Sequence, residues 1–284
     1  MKTAIVTDTN SSMSKDEAEK LGIYLLPMPI IIEGKEYFEG VDISYEHFFE
    51  RLAAGADVST SQPSPESVMA LWDKALEDND CVIHIPMSSA LSGSCQTAAA
   101  LAEEYNGKVI VIDNRRISIT QRRSVLEALR LANLGVPAQT IAAKLYNTAE
   151  ENSIYLAVHT LELLKKSGRV TPAGAAVAAI LGINPVLQIQ GGKLDAYAKA
   201  RGMKRAQQTM LKAADDDLAK RFKGKKVRID LAYSGDFPSA MEWKQIVEDH
   251  YPDTKISMHR LPLSICCHIA WGVKAIGISE VYDD

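Results

Sequence analysis

Two stretches of the chain crowd hydroxyl groups where a helix is about to begin. "STSQPSPES" carries Ser59, Thr60, Ser61 and Ser64, and "SSALSGSCQTAAALA" carries Ser88, Ser89, Ser92 and Ser94. Serine and threonine are the ordinary N-cap residues, so capping accounts for one hydroxyl per helix. It does not account for three or more. Hydroxyls beside the backbone N–H groups of a helix N-terminus suit an anionic headgroup, because those N–H groups have no intrahelical acceptor. Oxygen ligands alone do not separate a carboxylate from a phosphate. These residues read as an oxygen-lined anion pocket, shared by two loops of one domain.

Other reactive residue types read more plainly. Cys95 in "GSC" invites a nucleophile, but Ser92-Gly93-Ser94 lacks the spacing of a nucleophile elbow. A small apolar side chain packed inside a helix is the better reading. Cys266, Cys267 and His268 are adjacent, and adjacent ligands seldom wrap one tetrahedral ion. His268 then reads as a lone neutral hydrogen-bonding group. His84, inside the apolar run "CVIHIPM", reads as a core residue with its hydrogen bonds met. Arg169 follows a glycine stop in "KKSGRVTP"; it reads as a surface charge or as a clamp for an oxyanion. No nucleotide-binding glycine motif, zinc motif or paired-carboxylate arrangement is present, so no cofactor or metal is expected.

The elements that must position these residues alternate between strand and helix. In the first half, "TAIVTD", "CVIHI" and "KVIVID" read as buried strands, separated by helices with clear start signals. Ser14 and Glu17 form a capping box, Ser44 caps the next helix, and Ser64 with Pro65 opens a third. "PIII" turns back through Glu33-Gly34-Lys35. Such alternation predicts a parallel, doubly wound sheet in a first domain, residues 1–150. The second domain, 151–284, opens on the strand "SIYLAVHT". It includes a hairpin that turns at Gly191-Gly192, a long helix from about Lys204, and the strands "KVRIDLAYS" and "KISMHRLP". The hairpin makes its sheet mixed. The predicted class is therefore α/β with two domains, one parallel and one mixed.

Composition narrows the classes of function. The chain has 284 residues, 46% hydrophobic and 24% charged, with a formal net charge of −4. That balance gives no bulk electrostatic case for nucleic acid. The apolar run "AAVAAILGI" (175–183) is far shorter than the roughly 18 residues a spanning helix needs. Four cysteines without secretory spacing read as reduced thiols, and a cytoplasmic location is expected.

Taken in order, six segments resemble the DegV family of bacterial fatty-acid-binding proteins. "AIVTDTNSSMS" is similar to its opening strand and loop, "STSQPSP" to its Thr-Ser-Gln-Pro-Ser signature, and "IPMSSALSGSCQTA" to its Ser-Ser-x-Leu-Ser-Gly-Thr segment. "VIDNRRIS", "LKKSGRVTPAGA" and "INPVLQIQGGKL" follow in family order, so the resemblance spans nearly the whole chain. It implies non-enzymatic binding of a long-chain fatty acid, with the acyl chain in an apolar tunnel between two α/β domains. Carried over residue by residue, it nominates Thr60, Ser61, Ser92 and His268 for the carboxylate, with Arg169 nearby. Some members present the bound acid to a fatty-acid kinase, which implies such a kinase as a possible partner.

The chain departs from the family pattern at two places. "CCHIAWGVKAIG" replaces a glycine-rich C-terminal stretch, and "SITQRR" (118–123) replaces another glycine-containing segment. Added bulk at either place would shorten the tunnel or reshape the headgroup site. The competing expectation is an enzyme or binder acting on a smaller carboxylated or phosphorylated metabolite. A carrier needs only hydroxyls, one histidine and apolar walls, and all three are present.

Overall fold

A computed structural model describes residues 2–176 and 183–281. The chain forms two compact units. The first comprises residues up to Glu150 together with Pro262–Ser264; the second comprises Glu151–Leu261 and the residues from Ile265 onward.

In chain order the first unit runs β1 (Thr3–Asp8), α1 (Lys15–Leu21), β2 (Tyr24–Leu26), β3 (Pro29–Ile32), β4 (Lys35–Phe38) and α2 (Tyr45–Ala53). It continues with β5 (Val58–Thr60), α3 (Pro65–Asp78), β6 (Cys81–Ile85), α4 (Ser94–Ala102), β7 (Val109–Val111), α5 (Ser118–Asn133) and α6 (Ala138–Asn147). Strands β2-β1-β6-β7 form a sheet in that order, and every pairing is parallel. Both faces are apolar, as a parallel sheet covered on two sides requires. Ala4, Val6 and Val82 pack against Trp72 of α3 and Ala98 of α4. Their alternate neighbours Ile5, Ile83 and Ile85 pack against Val125 and Ala128 of α5 and Ile141 of α6. The doubly wound arrangement expected from the alternation is present.

The helix starts follow the expected caps. The hydroxyls of Ser14, Ser44 and Ser64 accept the N–H groups of Glu17, His47 and Ser67. A second, antiparallel sheet of order β4-β3-β5 was not foreseen as a unit. Its hairpin was legible, but Val58–Thr60 reads as a polar lead-in to α3. In the structure it pairs with β3, which sets Thr60 opposite Ile30.

The second unit runs β8 (Asn152–Ala157), α7 (Glu162–Ser167), α8 (Pro172–Ala176), β9 (Ile183–Ile189), β10 (Asp195–Arg201) and α9 (Met203–Ala219). Then come β11 (Val227–Tyr233), α10 (Phe237–His250), β12 (Ser257–Arg260), α11 (Leu263–Ile269) and β13 (Lys274–Glu280). Helix α11 starts in the residues that belong to the first unit. Most of the apolar run at 175–183 lies outside the described residues. No helix among the described residues is long and apolar enough to cross a membrane.

The sheet order is β10-β9-β8-β13-β11-β12, antiparallel except for β11 with β12. The expected hairpin is β9–β10. Helices α9 and α10 cover one face, with Met210, Ala213, Trp243 and Val247 against Tyr155, Val186, Leu231 and Ile276. Sequence reasoning stopped at "KISMHRLP" and missed β13, which lies centrally between β8 and β11. Its segment "KAIGISE" opens on a lysine and contains a glycine, both poor strand signals.

Candidate functional site

In the first unit, the loop after β6 divides its serines among distinct tasks. Ser88 is buried; its Oγ accepts Ala90 N–H at 3.2 Å, and its carbonyl accepts the N–H groups of Leu91 and Ser92. It builds the turn. Ser92 is half-buried, and its Oγ accepts Ser94 N–H at 3.2 Å. That bond orients the hydroxyl and leaves its O–H to donate. Gly93, the N-cap residue of α4, has no side chain to cap the first turn, and the Ser92 hydroxyl takes Ser94 N–H instead. Ser92 therefore stands at a helix N-terminus whose donors favour an anion.

Thr60 and Ser61 are half-buried at the end of β5, on the loop that leads to α3. Gln62 joins this loop to the start of α4. Its Oε1 accepts Thr97 Oγ1–H at 3.0 Å and lies 3.5 Å from where a Cβ on Gly93 would stand. The two hydroxyl-bearing loops thus adjoin, as their types and spacing predicted.

Beneath them lies a buried polar network that the sequence did not announce. Asp8 Oδ1 accepts Asn10 N–H at 2.9 Å and Gln121 Nε2–H at 3.2 Å; Oδ2 accepts Met87 N–H at 2.8 Å. Burial pushes the Asp8 carboxyl up to about 6, against the pull of these hydrogen bonds. Gln121 also donates to Thr7 Oγ1 and to the Ile85 carbonyl. Ser264 Oγ donates to Asn10 Oδ1 at 2.7 Å, and Leu263 N–H donates to Glu39. The departure "SITQRR" is the first turn and a half of α5. Ser118, Ile119, Thr120, Gln121 and Arg122 are all buried, and Arg122 makes a two-pronged ion pair with Glu17.

Cys95 is buried, and burial, with Asp113 and Asp8 adding to it, pushes its thiol up to about 12. It is a packing residue, as expected. His84 is in the core, but the expectation that its hydrogen bonds are met fails. It is 2% exposed, and neither ring nitrogen has a partner among the described residues.

In the second unit, Gly168 ends α7 in the left-handed conformation, and Arg169 follows. The Arg169 backbone carbonyl accepts Leu194 N–H, and its Nη1 donates to the Ser167 carbonyl. His268 lies in the last turn of α11; burial first, and the Arg169 charge second, hold its imidazole down to about 4. At neutral pH it is an uncharged ring. The bulk of "CCHIAWG" is split: Cys266 and Cys267 are buried, whereas Trp271 is 44% exposed, its indole over Gly235. Thr60, Ser61 and Ser92 thus belong to the first unit, and Arg169 and His268 to the second.

The sequence model of the DegV family matches residues 2–282. The chain belongs to the DegV family. A DegV domain-containing protein of Deinococcus radiodurans is 33% identical over 207 residues, 72% of this chain and 74% of that protein. Among solved structures, a fatty-acid-binding DegV family protein of Thermus thermophilus is similar at a TM-score of 0.89 and 29% identity. The match covers 99% of this chain and 100% of the other. A fatty-acid-binding DegV family protein of Streptococcus agalactiae is similar at 0.88 and 26% identity, covering 99% and 100%. The expected DegV fold is the fold observed.

Proposed function

We propose that this DegV protein binds a fatty acid without chemically altering it. The hydroxyls of Thr60, Ser61 and Ser92 and the neutral ring of His268 hydrogen-bond the carboxylate, and Arg169 offsets its charge. The observation that carries this reading is the Ser92 hydroxyl, turned by Ser94 N–H at the start of α4, in a chain whose solved relatives bind fatty acids. Each hydrogen bond to the carboxylate contributes modestly, about 1.5–3 kcal/mol for a charged acceptor. The acyl tail contributes more, at about 0.8 kcal/mol per buried methylene. A protonated Cys95 thiol is no nucleophile at neutral pH, which fits a carrier. The loaded protein, in the cytoplasm, carries the acid or presents it to a kinase that phosphorylates the carboxylate.

Native mass spectrometry of the protein purified from bacteria, with release of its ligand, tests the reading. A stoichiometric fatty acid is expected. A protein that arrives empty and also refuses added hexadecanoic acid would overturn it and turn the search to smaller anions. Ser92→Ala should lower retained acid several-fold while the melting temperature of the delipidated protein stays put. Unchanged occupancy would remove Ser92 from the headgroup site.

A further inference from the structure

His84 occupies a row of the parallel sheet that is otherwise apolar on its face: Val6 and Val111 flank it, and Tyr24 lies beyond Val6. Its ring meets Trp72 edge to face at 5.6 Å between centroids. Nothing about core packing asks for an imidazole there. Beside it lies a small cavity of about 10 Å³, lined by Leu26, Met28, Pro63, Val68 and Pro86 together with His84, Ser94, Thr97 and Asp8. Both ring nitrogens of His84 and the hydroxyl of Ser94, which is 8% exposed, lack a partner among the described residues. Buried polar groups are normally paired, and leaving one unpaired costs about 1–3 kcal/mol. Three unpaired atoms, on two residues that line one small and mostly apolar space, point to an occupant.

The chemistry of that occupant follows from the groups that face it. Burial holds His84 down to about 3, so its ring is neutral and offers one N–H and one lone pair. Ser94 offers one O–H and two lone pairs. A carboxylate or phosphate only accepts, and it would sit beside Asp8. An ammonium only donates. A hydroxyl both gives and takes, and it matches a space of roughly one water-sized group. The cavity shares its loops with the headgroup residues: Pro63 is two residues beyond Ser61, and Ser94 is two beyond Ser92.

We propose that the His84–Ser94 cavity is a hydroxyl subsite that reads an OH group on the second or third carbon of the bound acid. The protein would then select hydroxylated over plain fatty acids. The inference rests on the fatty-acid reading above. It assigns to His84 and Ser94 a specificity role separate from carboxylate capture. A site built around buried hydrogen-bonding groups discriminates against an analogue that lacks the partner, because the groups are then left unpaired.

The test compares binding of 2-hydroxyhexadecanoic, 3-hydroxyhexadecanoic and hexadecanoic acids to the delipidated full-length protein, to Ser94→Ala and to His84→Phe. At least one hydroxy acid is expected to bind about tenfold more tightly than the plain acid to the unaltered protein. That ratio should fall towards one in both variants, with affinity for the plain acid kept. Ser94→Ala alone decides the matter if His84→Phe does not fold. Equal affinity for all three acids in the unaltered protein would overturn the proposal and leave the fatty-acid reading standing, the buried groups then being met by solvent water. A preference that survives in the variants would overturn the assignment to this cavity. Failure of all three acids to bind would remove the fatty-acid reading and the subsite with it.

Discussion

Asp8 and His84 are buried ionisable groups of the first unit, and burial shifts them in opposite senses. Asp8 titrates near 6 when folded and near 3.8 when unfolded. Between those values the folded state holds more protons, so this residue alone raises stability as the pH falls. His84 titrates near 3 and His268 near 4 when folded, against 6.5 when unfolded. Below about pH 6.5 the unfolded chain therefore gains protons that the folded rings refuse, and these two residues lower stability on acidification. Two histidines outweigh one carboxyl, so the protein should lose stability from neutral pH downward, with Asp8 softening the loss. Asp8→Asn removes the softening and leaves one amide oxygen where two carboxylate oxygens accepted Asn10 N–H and Met87 N–H, a loss common to both pH values. Urea unfolding at about pH 6.5 and 4 should show a drop larger by about 2 kcal/mol in the variant. Equal drops would mean that Asp8 is already charged when folded at the lower pH.

At the scale of the element, the turn from α11 into β13 shows how the second unit holds His268. Ala270 N–H donates to the Cys266 carbonyl at 2.9 Å, and Ala270 adopts φ 62°, the left-handed position that glycine usually fills after a helix. Ser234 locks the turn: its Oγ donates to the Ala270 carbonyl and accepts Val273 N–H, and its own carbonyl accepts Gly272 N–H. Gly272 has φ 85°, and a Cβ there would meet the His159 ring at 2.5 Å, so that glycine is required. Ala270 is tolerated at a cost. Ala270→Gly should stabilise the protein by about 1 kcal/mol, because it relieves the left-handed strain. Thermal unfolding of the delipidated protein checks this, and an unchanged or lower midpoint would show that the Ala270 methyl packs well enough to offset the strain.

For the molecule as a whole, a ligand that binds only the folded chain must raise its stability by mass action, by about 2.7 kcal/mol at a hundredfold excess over Kd. Thermal melts of the delipidated protein with increasing hexadecanoic acid should therefore climb without a plateau in midpoint; a flat series would count against binding to the folded state. Much of the molecule was legible beforehand. Strand alternation, the caps at Ser14, Ser44 and Ser64, and the two hydroxyl-bearing helix starts are local signals, because a cap or a pleat depends on residues within a few positions of one another. The sequence by itself thus determined the α/β class, the parallel sheet, the hairpin of the mixed one, and the helix starts beside which Ser61 and Ser92 stand, whereas the pairing that holds Thr60 opposite Ile30 came only with the tertiary structure. Only the tertiary structure decided what lies under those loops. Gln121 reaches Asp8 across 113 positions and Ser264 reaches Asn10 across 254, while His84 shows its missing partners only once Trp72, Ser94 and Pro63 have closed around it. Burial and hydrogen-bond satisfaction are properties of the packed neighbourhood, and residues far apart in the chain make that neighbourhood.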